Sequence, residues 1–189
     1  MSMTTNIEIY PLFATPIFTI SNFITEEERK DIYDSIKEIK HVPHESIDGN
    51  GTSSHELGVD FLDTKIKERI QSSLDEYSNG YGCTYTTLDL MWSNIQNSGS
   101  ILREHTHPNS LLSGALYINA NDHLFFHNPN PYVYYTPEDK FTDFNSEYTR
   151  IPVKNCQLLI FPSWLKHGKN DIKNEMDDRV VVSFNASSK

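Results

Sequence analysis

The chain reads as mainly β with flanking helices, and three observations carry that reading. Two amphipathic helical stretches lie in the first part of the chain, within residues 25–78. From residue 83 onward, short apolar or alternating runs follow one another between turn residues, the pattern of an all-β barrel or sandwich. There is neither an internal repeat nor a heptad, so solenoids and coiled coils fall away. At 189 residues the chain fits one domain, 1–189. Within it, 1–82 supplies N-terminal strands and supporting helices, and 83–189 the β core.

Taken in order, Ile7–Phe13 and Thr15–Ile20 alternate apolar residues and predict one or two short strands, with Pro11 and Pro16 marking a bend or an edge. Thr25-Glu26-Glu27-Glu28 has the spacing of a capping box, and Ile32, Ile36 and Ile39 recur at helical spacing, which predicts a helix over 25–40. Residues 41–58, rich in His, Pro, Gly, Ser and Asn, read as a long loop. A second helix is predicted over 62–78 from Ile66, Ile70 and Leu74, with Asn79-Gly80-Tyr81-Gly82 as its stop. Strands are predicted at Tyr85–Asn94, Ser100–Glu104, Ser113–Asn119, His123–His127, Gln157–Phe161 and Val180–Asn185. Residues 128–150 interleave Asn, Pro and acidic residues with aromatics such as Tyr132, Tyr134 and Phe141, and read as a loop that folds back as a lid.

Bulk properties narrow the function. The formal net charge of −10 argues against non-specific binding to a phosphate backbone, so nucleic acid is not an expected partner of that kind. No apolar run is long enough for a membrane span, and the first residues lack the pattern of a signal peptide, so the expected location is the cytoplasm of the producing cell or host. Cys83 and Cys156 are two and far apart, which indicates neither a disulfide framework nor a cysteine zinc site. Edge pairing of the opening strands in a homodimer is a further expectation.

The chemistry lies in the second half. On a strand, side chains at i and i+2 share a face, so His105 and His107 present two imidazoles to one ion. His167, after Gln157–Phe161 and the Pro162-Ser163-Trp164 corner, is the natural third ligand. Three facial ligands leave positions open, as oxygen chemistry at iron(II) requires. The plainer reading makes these ordinary histidines satisfied by hydrogen bonds. Arg179 opens a strand in which it shares one face with Val181, Ser183 and Asn185, and an inward arginine needs an anionic partner. Its planar fork matches a carboxylate, either a ligand's or a structural one from Asp177, Asp178 or Glu175.

With Trp92-Ser93-Asn94, Gly99–His107, Ser113–Asn119, Phe161–His167 and Arg179–Asn185 in this order, the chain resembles the 2-oxoglutarate/Fe(II)-dependent oxygenase superfamily over about residues 85–186. Within it, the likeness is to the prolyl-hydroxylase-like branch common in bacteria and phages. The resemblance implies a double-stranded β-helix, or jelly roll, with iron(II) as cofactor and 2-oxoglutarate as co-substrate. It makes His105 the first motif histidine, His167 the distal one and Arg179 the co-substrate arginine. Tyr117 falls where the superfamily often places a further donor to 2-oxoglutarate, core packing being the alternative. The superfamily usually has H-x-D or H-x-E, and here His107 occupies the carboxylate position. A three-histidine oxygenase, another bound metal and a site without turnover all remain open.

On the oxygenase reading, the distal carboxylate of 2-oxoglutarate meets Arg179, assisted by Ser183 or Tyr117. Thr106, Asn109 and Ser110 would orient the imidazoles. A cupin-like metalloenzyme that does not use 2-oxoglutarate, and a non-catalytic jelly-roll binding module, are the competing classes. The substrate, a small molecule or a protein side chain, is not specified by the sequence. His123 and His127 read as surface or supporting groups, and His41, His44 and His55 carry no spacing signal.

Overall fold

In the computed structural model the described residues are 13–130, 142 and 145–188. The elements in chain order are β1 (Phe18–Ile20), α1 (Glu26–Glu38), β2 (Ile47–Asp48), β3 (Gly51–Ser53), a 3-10 turn (His55–Leu57), α2 (Thr64–Tyr81), β4 (Thr86–Gln96) and β5 (Ile101–Leu102). They continue with β6 (Leu112–Asn119), β7 (Asn121–His127), β8 (Tyr148–Lys154), β9 (Leu158–Pro162) and β10 (Arg179–Ser188).

Helix α1 starts where the sequence predicts. Thr25 caps it, its hydroxyl accepting from Glu28 N–H at 3.1 Å while the Glu28 carboxylate accepts from Thr25 N–H at 2.8 Å. Helix α2 is capped by Asp63 and runs three residues beyond the predicted end, to Tyr81, where Gly82 takes the left-handed conformation that ends it. None of the described helices is long and apolar enough to cross a membrane.

A six-stranded antiparallel sheet, in the order β1-β9-β6-β10-β4-β3, forms the large layer. Alternation along its central strands divides two cores. Leu112, Leu116, Ile118, Leu158, Ile160, Val180, Val182 and Phe184 point to the helices and bury Ile36, Ile70 and Leu74. Their neighbours Ala115, Tyr117, Leu159, Phe161 and Val181 face the other way and pack on Leu124, Phe126, Val153 and Leu165. The face that the sequence assigns to Val180, Val182 and Phe184 is therefore the helix face, and the Arg179 face looks inward.

The opposing layer is built from two pairs, β2-β5 and β7-β8. The segment around His167 joins them. His105 and His167 exchange both backbone hydrogen bonds (2.9 and 3.0 Å), Lys169 N–H donates to Leu102 C=O, and on the other side His127 N–H donates to Lys166 C=O and Gly168 N–H to Phe125 C=O. His167 thus occupies the middle of the second layer.

Three local expectations change. Residues 41–58 contain β2, β3 and the 3-10 turn, because Val42 and Ser53 exchange backbone bonds and β3 pairs with β4 despite a loop-like composition. The strand predicted at Ser100–Glu104 shortens to Ile101–Leu102. Part of 128–150 is not loop, since Tyr148 begins β8, in which inward Ile151 and Val153 alternate with exposed Arg150, Pro152 and Lys154. Most of the expected lid, 131–141 with 143 and 144, lies outside the described residues, as does the opening strand through Leu12. The strand expected within Thr15–Ile20 is β1, at one edge of the large sheet.

Candidate metal centre

The two layers enclose a cavity of about 700 Å³ lined by residues of both. His105, His107 and His167 meet inside it, with one ligand atom of each lying within 4.8 Å of the others. Their ring centroids are 4.3 Å apart for His105 and His167, 5.0 Å for His105 and His107, and 5.1 Å for His107 and His167. His105 and His167 are held opposite each other by their mutual backbone bonds. His107 is fixed by its N–H donating to Ser163 C=O at 3.0 Å.

Backbone carbonyls set two of the tautomers. His105 Nδ1 donates to Arg103 C=O at 2.7 Å, and His167 Nδ1 to Leu165 C=O at 3.0 Å. A carbonyl only accepts, so Nδ1 carries the proton in both rings and each Nε2 is left with its lone pair. His107 Nε2 lies 3.3 Å from His167 Nε2. Two imidazole nitrogens on one ion, bonded at about 2.0–2.1 Å, stand roughly 3.0–3.4 Å apart, so this separation fits a shared metal. The orienting groups differ from those expected, since the carbonyls of Arg103 and Leu165 take the role the sequence suggested for Thr106, Asn109 and Ser110.

Electrostatics favour the ligand state. Burial, reinforced by the neighbouring imidazoles, holds the His167 pKa well below its ordinary value. Burial and then the nearby His105 and His55 push His107 down to about 4, and burial also lowers His105. A cationic cluster would cost the fold heavily, whereas three neutral rings are ready donors. Phe126 and Phe161 flank His167, Phe161 edge-on at 4.8 Å, which limits water behind it.

Arg179 lines the same cavity and is only 6% exposed. Its Nε and Nη2 donate to the Asp122 carboxylate at 2.7 and 3.3 Å, and Nη1 donates to Gln96 Oε1 at 2.8 Å. The structural partner is therefore Asp122 rather than Asp177, Asp178 or Glu175. Asp178 pairs with Tyr33 and Lys37 on α1, and Asp177 accepts from Ser98 N–H. Three of the five guanidinium N–H groups are used in these bonds, leaving two. The guanidinium lies 5.8 Å from the centroid of the Tyr117 ring, which is buried among the inward-facing residues. Ser183 also lines the cavity, its hydroxyl accepting from Asn94 Nδ2 at 3.1 Å.

Glu104, beyond the end of β5, pairs with Lys166 at 2.9 Å and His127 at 3.5 Å. His127 is buried, with Nε2 3.2 Å from Gly168 C=O, and so supports the His167 segment from behind. Sequence spacing missed His44 and His55, which line the cavity on the outer side of Trp92. No periodicity could have found them, because they come from separate parts of an irregular segment.

The family model described as "Putative 2OG-Fe(II) oxygenase" matches residues 90–185, which include the three histidines and Arg179. No curated protein matches by sequence. Among solved structures, HygX from Streptomyces hygroscopicus, with nickel and 2-oxoglutarate bound, superposes with a TM-score of 0.64 at 9% identity, covering 93% of this chain and 84% of that one. The viral collagen prolyl hydroxylase vCPH from Paramecium bursaria Chlorella virus-1, in its 2OG complex, gives 0.61 at 12% identity, over 92% and 96%. A Pseudomonas putida prolyl-4-hydroxylase gives 0.61 at 11% identity, over 94% and 95%. At such identities the likeness establishes the fold, the double-stranded β-helix expected from the sequence. These sources are a Streptomyces, a pseudomonad and a chlorella virus, and none points to a phage origin.

Proposed function

The chain belongs to the 2OG-Fe(II) oxygenase family, and on that premise we propose that it is a non-haem iron(II)- and 2-oxoglutarate-dependent dioxygenase that hydroxylates a small molecule or a protein side chain. The observation that carries the reading is the buried cluster of His105, His107 and His167 in one cavity with the guanidinium of Arg179. In the related structures HygX and vCPH, 2-oxoglutarate is bound. Here His105, His107 and His167 would hold the iron, with His107 standing where a carboxylate is usual. Iron(II) with 2-oxoglutarate supplies oxidative decarboxylation coupled to oxidation of a substrate C–H bond.

The chain's own groups position and insulate. Asp122 and Gln96 fix the plane of Arg179, and its two remaining N–H groups are the donors for the distal carboxylate of the co-substrate. Burial raises the pKa of the Tyr117 phenol, so its hydroxyl stays a neutral donor beside Arg179. The Ser183 hydroxyl, oriented by Asn94, is the third polar group on that wall. Leu124, Phe161 and Val181 make the neighbouring surface apolar, which strengthens the charge pairing there.

The Asp122 carboxylate already on Arg179 favours one competing reading, a metalloenzyme that leaves the arginine structural and does not use 2-oxoglutarate. Turnover separates the two. The iron(II) protein should convert 2-oxoglutarate to succinate at a slow uncoupled rate, and His167→Ala should abolish both metal binding and succinate. Metal binding without any succinate would refute the oxygenase reading and favour its competitor.

A further inference from the structure

We propose that His44, His55 and Glu56 form a second transition-metal site at the mouth of the cavity, distinct from the triad. One ligand atom of each lies within 4.8 Å of the others. Two imidazoles and one carboxylate are a donor set suited to zinc, iron, nickel or copper. The rings stand edge to face, with centroids 5.0 Å apart, an arrangement that lets both aim a nitrogen at a common point.

Each imidazole has a nitrogen to give. His44 Nδ1 lies 2.8 Å from Ser46 Oγ and 3.3 Å from Ser46 N, which fixes the ring; with Nδ1 donating to the hydroxyl, Nε2 carries the lone pair for an ion. His55 Nδ1 is out of contact with water and has no hydrogen-bond partner. A buried polar atom left unpaired is costly, and a metal bond would satisfy it. The groups around His55 hold its ring in place. Its N–H donates to Ser53 Oγ at 3.1 Å, Trp92 packs edge-on against the ring at 4.8 Å, and Gly58 closes the 3-10 turn in the left-handed conformation. Glu56, next along that turn, is exposed and brings the carboxylate. Trp92 also contacts His107, 5.7 Å between centroids, so it lies between the two histidine groups while their ligand sets share no residue.

Equilibrium titration of the full, tag-free chain with zinc(II), followed by calorimetry or by competition with a chromophoric chelator, tests the site. The wild type should bind two equivalents, His167→Ala one and His55→Ala one. Glu56→Gln, at an exposed position that cannot perturb the core, should keep both but weaken one by more than the roughly 100-fold that loss of an outer-shell partner costs at most. A single equivalent that His167→Ala removes and His55→Ala spares overturns the proposal, as does a second equivalent that neither His55→Ala nor Glu56→Gln affects. If instead His167→Ala leaves two equivalents in place, the triad assignment fails and this one does not.

Discussion

Gly168 is the residue through which the histidine-bearing segments approach each other, and Gly168→Ala should damage both the fold and the site. Its φ of +86° lies in the left-handed region, where a side chain costs about 1–2 kcal/mol. A Cβ there would also press into the Arg103 carbonyl and stand 2.9 Å from the Leu102 carbonyl oxygen, against an ordinary contact of roughly 3.5 Å. Both obstacles are backbone, so no side chain can swing aside, and overpacking of this kind costs about 1–3 kcal/mol more. The total of about 2–5 kcal/mol corresponds to a drop of roughly 4–20 °C in Tm for a domain of this size. The displaced Arg103 carbonyl is the group that orients His105, so the damage reaches the ligand set. Scanning calorimetry and cobalt(II) titration of the variant give the two readouts. An unchanged Tm with unchanged metal affinity would refute the reasoning.

Arg179→Ala should weaken 2-oxoglutarate binding roughly thirtyfold or more, since truncating one partner of a buried charge pair costs about 2–5 kcal/mol, while metal affinity is retained; calorimetric titration checks both. In the metal-free protein the triad imidazoles have pKa values depressed below the ordinary 6.5, to about 4 for His107. The unfolded chain therefore takes up protons first as the medium is acidified. Stability thus falls as the pH drops below about 6.5, the His107 part down to about pH 4, at about 1.4 kcal/mol per pH unit for each proton taken up. Urea midpoints across this range should fall on acidification, and more gently for His107→Gln; equal slopes would contradict the assignment. Thr25→Ala removes the capping bond of α1 and should cost about 1 kcal/mol without altering metal binding, read from urea midpoints and zinc titration.

Much of this architecture was legible because local and tertiary demands agree. Val180, Val182 and Phe184 alternate with Arg179, Val181 and Ser183, and the sheet does separate a helix face from a cavity face along that alternation. The capping box at Thr25 is local chemistry and needs no tertiary partner. The grouping of His105 with His167 was legible from order along the chain, although the pairing is made by a single isolated backbone bridge and not within a regular strand. Other features depend on partners distant in sequence. Asp122 reaches Arg179 only because β7 folds across the sheet, and β2 and β3 are strands because β5 and β4 lie beside them. His44 and His55 are brought together by the same pairing, which no spacing rule encodes.

The most direct test of the central claim is an anaerobic titration of the iron(II) protein with 2-oxoglutarate, followed by visible absorption. The account predicts a charge-transfer band that saturates at one equivalent of 2-oxoglutarate, is absent in His167→Ala and needs far more co-substrate in Arg179→Ala. A protein that binds iron(II) through the three histidines yet develops no band at saturating 2-oxoglutarate would contradict it.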